Sequence, residues 1–285
     1  MCRLFFSFTN NARNNEPKRL LLNFFDKCEQ QQINDGFGVC WYNNHEWHHY
    51  KKPIHYRDDP HIFRKIDTIT SRIILAHSRN INKENVSKDH VIKERSLENT
   101  HPILYKDYLF MHHGDLLLES EKGLLGHQRF KYKSEFKEKI KLLENHIDKE
   151  LLKNMKGSTD SELLLFLYLS FEKQIKQENE ENNFSTEEIM LKSFKSMIKC
   201  IEKTNLVNRS NIILAVDGYV LIAKIAKNNS KFKKIRELDL FMEHSKEKEE
   251  LIVSTIKLTP TCENMKPNTV VIMNHKKKLI QSFKL

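Results

Sequence analysis

Short runs rich in β-branched and aromatic residues stand at both ends of this chain, and helical patterns fill the middle. The runs are Cys2–Phe8, Gly36–Tyr42, Ile73–Arg79, Asp107–His113, Asn211–Val216, Tyr219–Ala226, Leu251–Leu258 and Thr269–Met273. Each has strand length and strand composition. Asp217-Gly218 separates two of them and reads as a two-residue hairpin turn. Strands at both ends must share sheets, and the helices between them must cover those sheets. The expected outcome is a layered α/β sandwich forming one domain over residues 1–285.

The helical patterns are Lys18–Gln30, Glu135–Met155, Ser161–Ile175 and a helix from about Ser185 to Glu202. Phe136, Ile140, Leu143, Ile147 and Leu151 line one face of the second. The third is apolar all round, which places it between layers. Ser185-x-x-Glu188 reads as a capping box, and Thr159-x-x-Glu162 fits the same pattern. Glu172–Asn183 begins as helix and turns into a charged loop. Lys227–Glu250 is charged and has the character of an insertion.

Composition narrows the function classes. Hydrophobic residues make up 39% of the 285 residues, enough for a substantial core. No window approaches the roughly 18 to 20 apolar residues of a membrane span, and the apolar N-terminus lacks a small-residue cleavage site. The formal net charge is +10, but the 48 basic residues are scattered among 38 acidic ones. That pattern reads as a solvated surface, and nucleic acid is not expected as a partner. Five cysteines, Cys2, Cys28, Cys40, Cys200 and Cys262, show no metal-knuckle spacing and no even count for a disulfide framework. A reducing compartment, the cytoplasm, is expected. His45, His48, His49, His55 and His61 lie in a Tyr/Trp/Pro-rich stretch without helical spacing, and a hairpin or solvated loop is expected there rather than a metal site.

Cys2 directly follows the initiator methionine. Loss of Met1 would put a thiol and a free α-amine on one residue. The reference pKa of that amine is about 7.7–8.0, so it can act as a base near neutrality. Taken alone, a Met-Cys start is more often a buried strand cysteine.

Further blocks change that weighting. Met1-Cys2-Arg3-Leu4-Phe5 is followed by Asn34-Asp35-Gly36-Phe37-Gly38-Val39, Ala76-His77-Ser78-Arg79 and Glu98-Asn99-Thr100-His101-Pro102. Then come Leu109-Phe110-Met111-His112-His113-Gly114 and Gly157-Ser158-Thr159-Asp160-Ser161-Glu162. In order and spacing these blocks resemble the small, stand-alone class-II glutamine amidotransferases. The branch resembled most contains the amidotransferase-like subunit of cytosolic glutathione degradation, with relatives that act on γ-glutamyl conjugates in ergothioneine synthesis. The resemblance is dense over about the first 165 residues and looser around Leu214–Gly218 and Val253–Thr259. It implies an α+β fold, the four-layer αββα sandwich of N-terminal nucleophile hydrolases.

The resemblance also implies roles. Cys2 would be the nucleophile, with His113 and Gly114 at the oxyanion hole. Arg79 would bind the substrate's α-carboxylate and Asp160 its α-ammonium. The family normally carries asparagine where this chain has His113, and an imidazole offers one N–H in place of an amide NH₂. His77 is expected to be structural, Asn99–Pro102 to shape the loop beside the site, and Asp115 receives no role. The substrate would be glutamine or another γ-glutamyl small molecule, with no metal or organic cofactor and with a separate peptidase or synthase subunit as the candidate partner. The alternative is a catalytically impaired regulatory or scaffold subunit that keeps the fold.

Overall fold

The first strand of the chain pairs with one of the last. In the computed structural model, which describes residues 2–81, 88–120, 123–124, 133–178, 183–226, 238–275 and 279–285, Phe5 lies opposite Ser254. The elements in chain order are β1 (Arg3–Phe8), α1 (Glu16–Gln30), β2 (Gly36–Asn43), β3 (Glu46–Lys52), α2 (Ile62–Thr68), β4 (Ile73–Arg79), α3 (Lys88–Glu94), β5 (Ile103–Tyr105), β6 (Tyr108–Ser120) and β7 (Gly123–Leu124). They continue as α4 (Lys133–Glu144), α5 (Lys149–Leu152), α6 (Asp160–Glu178), α7 (Thr186–Lys203), β8 (Leu206–Val216), β9 (Tyr219–Ala226), β10 (Phe241–Ser245), β11 (Glu250–Ser254), β12 (Glu263–Asn264), β13 (Thr269–Asn274) and β14 (Leu279–Lys284).

Two antiparallel sheets result. One runs β12-β10-β11-β1-β4-β2-β3, the other β14-β13-β9-β8-β6-β5 with β7 on the end of β6. Three apolar layers show how they stack. Phe5, Val39, Ile74 and Ala76 on one face of the first sheet pack on Leu20, Leu21, Phe24 and Phe25 of α1. Phe110, Ile212, Leu214 and Leu221 on one face of the second pack on Leu163–Leu169 of α6 and Phe194 of α7. The inner faces meet through Leu4, Phe6, Leu75, Met111, Ile213 and Ile222. The order helix, sheet, sheet, helix is the αββα arrangement expected. Each fully buried Leu or Phe contributes roughly 1.5–3 kcal/mol, so these layers are the main stabilising term.

Strand period decides what faces the gap between the sheets. Leu4, Phe6 and Phe8 of β1 point into it, as do Ile73 and Leu75 of β4, Leu109 and Met111 of β6, and Ile213 and Ala215 of β8. Alternation then assigns Cys2, His77, Arg79, His113, Asp115 and Asn211 to the same side. One end of an otherwise apolar layer is therefore polar.

Several sequence expectations need correction. The Glu135–Met155 helix is broken into α4 and α5. Asp148 interrupts it, accepting the Glu150 and Leu151 N–H groups as an N-cap, although Leu143 and Ile147 still bury their side chains in the expected direction. The Thr159 capping box does not form. Thr159 Oγ1 has no hydrogen-bond partner, and the Glu162 carboxylate takes the N–H groups of Lys156 (2.9 Å) and Gly157 (2.7 Å) instead. The Ser185 box is present in full. The strand in the Leu251–Leu258 run ends at Ser254, while β6 and β8 extend beyond their expected bounds. The histidine-rich stretch contributes an edge strand: Asn44 and His45 turn the β2–β3 hairpin at positive φ, and Trp41 stacks on His48. Residues 227–237 of the charged 227–250 segment, and 179–182 of the Glu172–Asn183 loop, lie outside the described residues. Asp217 (φ 42°) and Gly218 (φ 76°) make the β8–β9 turn as read from sequence.

Candidate functional site

Cys2 opens β1, half-buried, with its Sγ 3.5 Å from the Asn80 backbone N–H and 3.8 Å from the Asn80 carbonyl. The β1–β4 pairing makes this contact, because Arg3 lies opposite Ser78 and brings Cys2 to the end of β4. Burial pushes the Cys2 thiol above its ordinary range; the Asn80 N–H and the Arg79 charge oppose that shift, and the Asp115 carboxylate adds to it. The thiol is therefore protonated at neutral pH and needs a base to react.

Arg79 ends β4 with its side chain only 5% exposed, and its guanidinium is already engaged. One amino group donates to the Glu94 carbonyl and the other to the Glu94 carboxylate at 3.0 Å. The segment that presents Glu94 is strapped down. Asn99 donates to the Glu94 carbonyl (3.3 Å) and accepts from the Ser158 N–H (2.9 Å). Lys51 donates to the carbonyls of Thr100 and Pro102. Gly38 lets this loop sit on β2: a Cβ there would lie 2.1 Å from the His101 carbonyl oxygen and 2.8 Å from Pro102 Cδ. The fully buried Asp35 accepts the Ile81 N–H (2.9 Å) and pairs with Arg95, fixing the chain just beyond Arg79.

His113 and Gly114 lie on β6 opposite Asn211 and Ser210 of β8. Gly114 has φ +155°, and a Cβ would lie 2.2 Å from the Arg209 carbonyl oxygen and 2.7 Å from Ser210 Cα, so the backbone admits no side chain there. The His113 ring is buried. Burial, with the Arg3 charge adding, holds its pKa well below the usual histidine range, and the ring is neutral. Its Nδ1 meets the Asn211 amide nitrogen at 3.3 Å. Its Nε2 is buried without a partner. Arg3 in turn donates to the Cys2 carbonyl at 2.9 Å, which ties His113's electrostatic neighbour to Cys2.

Asp160 begins α6 and accepts the Leu116 N–H at 3.1 Å, two residues beyond Gly114. The Leu116 N–H lies in the plane of the sheet, so the Asp160 carboxylate meets β6 at the strand edge, while alternation puts Cys2, Arg79 and His113 on the inter-sheet side. His112 also faces the helices, with ring nitrogens 2.9 Å from Ser161 Oγ and 2.8 Å from Ser210 Oγ. His77 bonds the His112 carbonyl through Nε2 at 3.3 Å, and its ring lies 4.2 Å from that of His101, centroid to centroid. Burial lowers the His77 pKa to about 3 and holds His101 well below its ordinary value.

Sequence reading named Asp115 without a role and passed over Glu94 and Asn211. Alternation from His113 would have put Asp115 on the same side, and the pairing across to β8 would have found Asn211. Glu94 carries no sequence signal. Among the described residues no group of three or more His, Cys, Asp or Glu is arranged to hold a metal ion, and no helix is long and apolar enough to cross a membrane.

No protein-family model and no curated protein matches the sequence. Solved structures do match in fold. A glutamine aminotransferase class-II domain protein from Silicibacter pomeroyi aligns over 99% of both chains at 14% identity and TM-score 0.57. The glutamine phosphoribosylpyrophosphate amidotransferase of B. subtilis, complexed with ADP and GMP, aligns over 99% of this chain at 12% identity and TM-score 0.62, and this chain spans 49% of that one. A structure described as the allosteric regulatory enzyme of purine biosynthesis aligns equally well, again over 49% of its length. The chain shares the fold of these proteins.

Proposed function

We propose that this chain is a glutamine amidotransferase-type hydrolase of class II, cleaving a γ-glutamyl amide through a thioester on Cys2. The observation that carries the reading is the inter-sheet end: a half-buried N-terminal thiol, a buried guanidinium at Arg79, and a neutral imidazole at His113 with an unpartnered ring nitrogen. Shared fold with amidotransferase structures supports it.

The chemistry follows from these groups. With Met1 removed, the Cys2 α-amine accepts the thiol proton, which a thiol of raised pKa does not release unaided. Sulfur attacks the γ-carbonyl carbon, and negative charge develops on its oxygen. His113 and the Gly114 N–H stabilise that oxyanion. The C–N bond breaks, the amine leaves with the proton taken from the thiol, and water then hydrolyses the γ-glutamyl thioester to release glutamate and restore the thiol. Arg79 and Asp160 hold the amino-acid head group, and the substrate's α-carboxylate takes the place of the Glu94 carboxylate on the Arg79 fork.

Two observations favour a second reading, a non-catalytic subunit: the imidazole where an asparagine is usual, and Arg79 already paired with Glu94. One experiment separates them. Intact mass should show a chain beginning at Cys2, and the same sample should hydrolyse glutamine, glutathione or a γ-glutamyl anilide, with no turnover by Cys2→Ala. A protein that begins at Cys2 yet turns over none of the three supports the scaffold instead.

A further inference from the structure

We propose that Asn211 is a positioning residue for the oxyanion hole, fixing His113 in the tautomer that carries its proton on Nε2. The inference rests on the role proposed for His113 and deepens it.

Asn211 is fully buried on the inter-sheet side of β8, and its Nδ2 lies 2.8 Å from the Asp239 carbonyl oxygen. Only the NH₂ end of an amide can face a carbonyl, so the orientation of the Asn211 amide is settled by chemistry. The other hydrogen of that nitrogen is directed at His113 Nδ1, 3.3 Å away. Nδ1 must then be the acceptor. A neutral imidazole has one proton, which leaves it on Nε2. That Nε2–H is buried with no partner. An unmade buried hydrogen bond is unfavourable, and the bond is made when an oxygen becomes charged beside it.

The anchor is itself anchored. Asn264 donates to the Asp239 carboxylate at 2.8 Å, accepts the Leu240 N–H at 3.2 Å, and accepts from the buried Lys224 ammonium at 2.8 Å. Lys224 lies opposite Asn211 in the β8–β9 pairing, and Asn211 opposite His113 in the β6–β8 pairing. One row across the sheet thus ends at the ring. The usual amide donor is missing from the position of His113, and the amide one strand over sets the direction of the imidazole that replaces it. With the opposite tautomer, Nε2 would turn a lone pair toward the oxyanion and repel it.

The tautomer is read directly by two-bond ¹⁵N–¹H correlation on the full chain with labelled histidine, the His113 signals being assigned by their loss in His113→Asn. Wild type should show the Nε2-protonated form. Asn211→Asp replaces the donor with an acceptor and should move the proton to Nδ1, lowering kcat about 10²-fold with KM within a few-fold. Adding His113→Asn to Asn211→Asp should restore turnover, because an amide donor has no tautomer to lose. Asn211→Leu, which removes the donor without adding charge, should broaden or split the His113 signals. A wild-type ring protonated on Nδ1, or an Asn211→Asp enzyme with unchanged tautomer and kcat, overturns the proposal. Absence of any wild-type turnover counts against the catalytic reading alone, since the spectra still decide whether Asn211 controls the ring.

Discussion

Mild acid should destabilise this protein through three histidines that fold neutral. His77, His101 and His113 are 0%, 3% and 3% exposed, and burial depresses the pKa of each. For a base depressed in the folded state, stability is complete above the unfolded pKa. It is lost as pH falls toward the folded pKa, because only the unfolded chain binds the proton. For His77 the limits are about 6.5 unfolded and about 3 folded. Linkage over that window gives a loss of roughly 1 kcal/mol between about pH 7 and about pH 5.5. His101 and His113 are held well below the ordinary value by the same burial, so they lose stability in the same direction. Against a typical total of about 5–15 kcal/mol, even the His77 loss is measurable. The window lies above the reference range of carboxylates, so losses from acidic groups do not enter it. Urea titrations at the two pH values, with the slope compared, measure the difference. His77→Asn should recover part of the pH dependence relative to its own stability at neutrality. Equal stability at both pH values would show that these rings take up protons as readily in the folded protein as in the unfolded chain, and the burial argument for their depressed pKa values would fall.

The other expectations concern the site. Arg79→Ala and Asp160→Ala should each raise KM strongly in a γ-glutamyl hydrolysis assay, and Arg79→Lys should not rescue, because an ammonium lacks the planar fork; unchanged KM in both alanine variants would remove the head-group clamp. His113→Ala should lower kcat about 10²-fold with little change in KM, while His113→Asn keeps or raises it, and equal kcat in all three would mean that the ring points elsewhere. Gly38→Ala drives a methyl into the His101 carbonyl and should unseat the loop that carries Glu94, seen as faster proteolysis around residues 94–102 with the far helices unaffected; an unaltered digestion pattern would refute that seating.

The N-terminal thiol, the apolar β4 run ending in Arg79, the Asp217-Gly218 turn and the capping box at Ser185 were all legible in the amino-acid sequence. Each rests on local chemistry: alternation, a turn dipeptide, a cap. The blocks from Cys2 to Glu162 carried the resemblance that implied the sandwich, and the three apolar layers follow that arrangement. What local pattern could not decide is whatever a distant partner selects. Strand β3 is a half-exposed, histidine-rich edge, and pairing with β2 makes it a strand rather than its own apolarity. Asp148 breaks a helix that periodicity would have continued. Glu94 meets Arg79 only because the loop seated on Gly38 carries it there. Asn211 and His113 stand 98 positions apart in the chain, and only the β6–β8 register sets an amide behind an imidazole. The resemblance in sequence pointed to His113 for an oxyanion role; the amide set against its Nδ1 is a neighbour that only the folded sheet supplies.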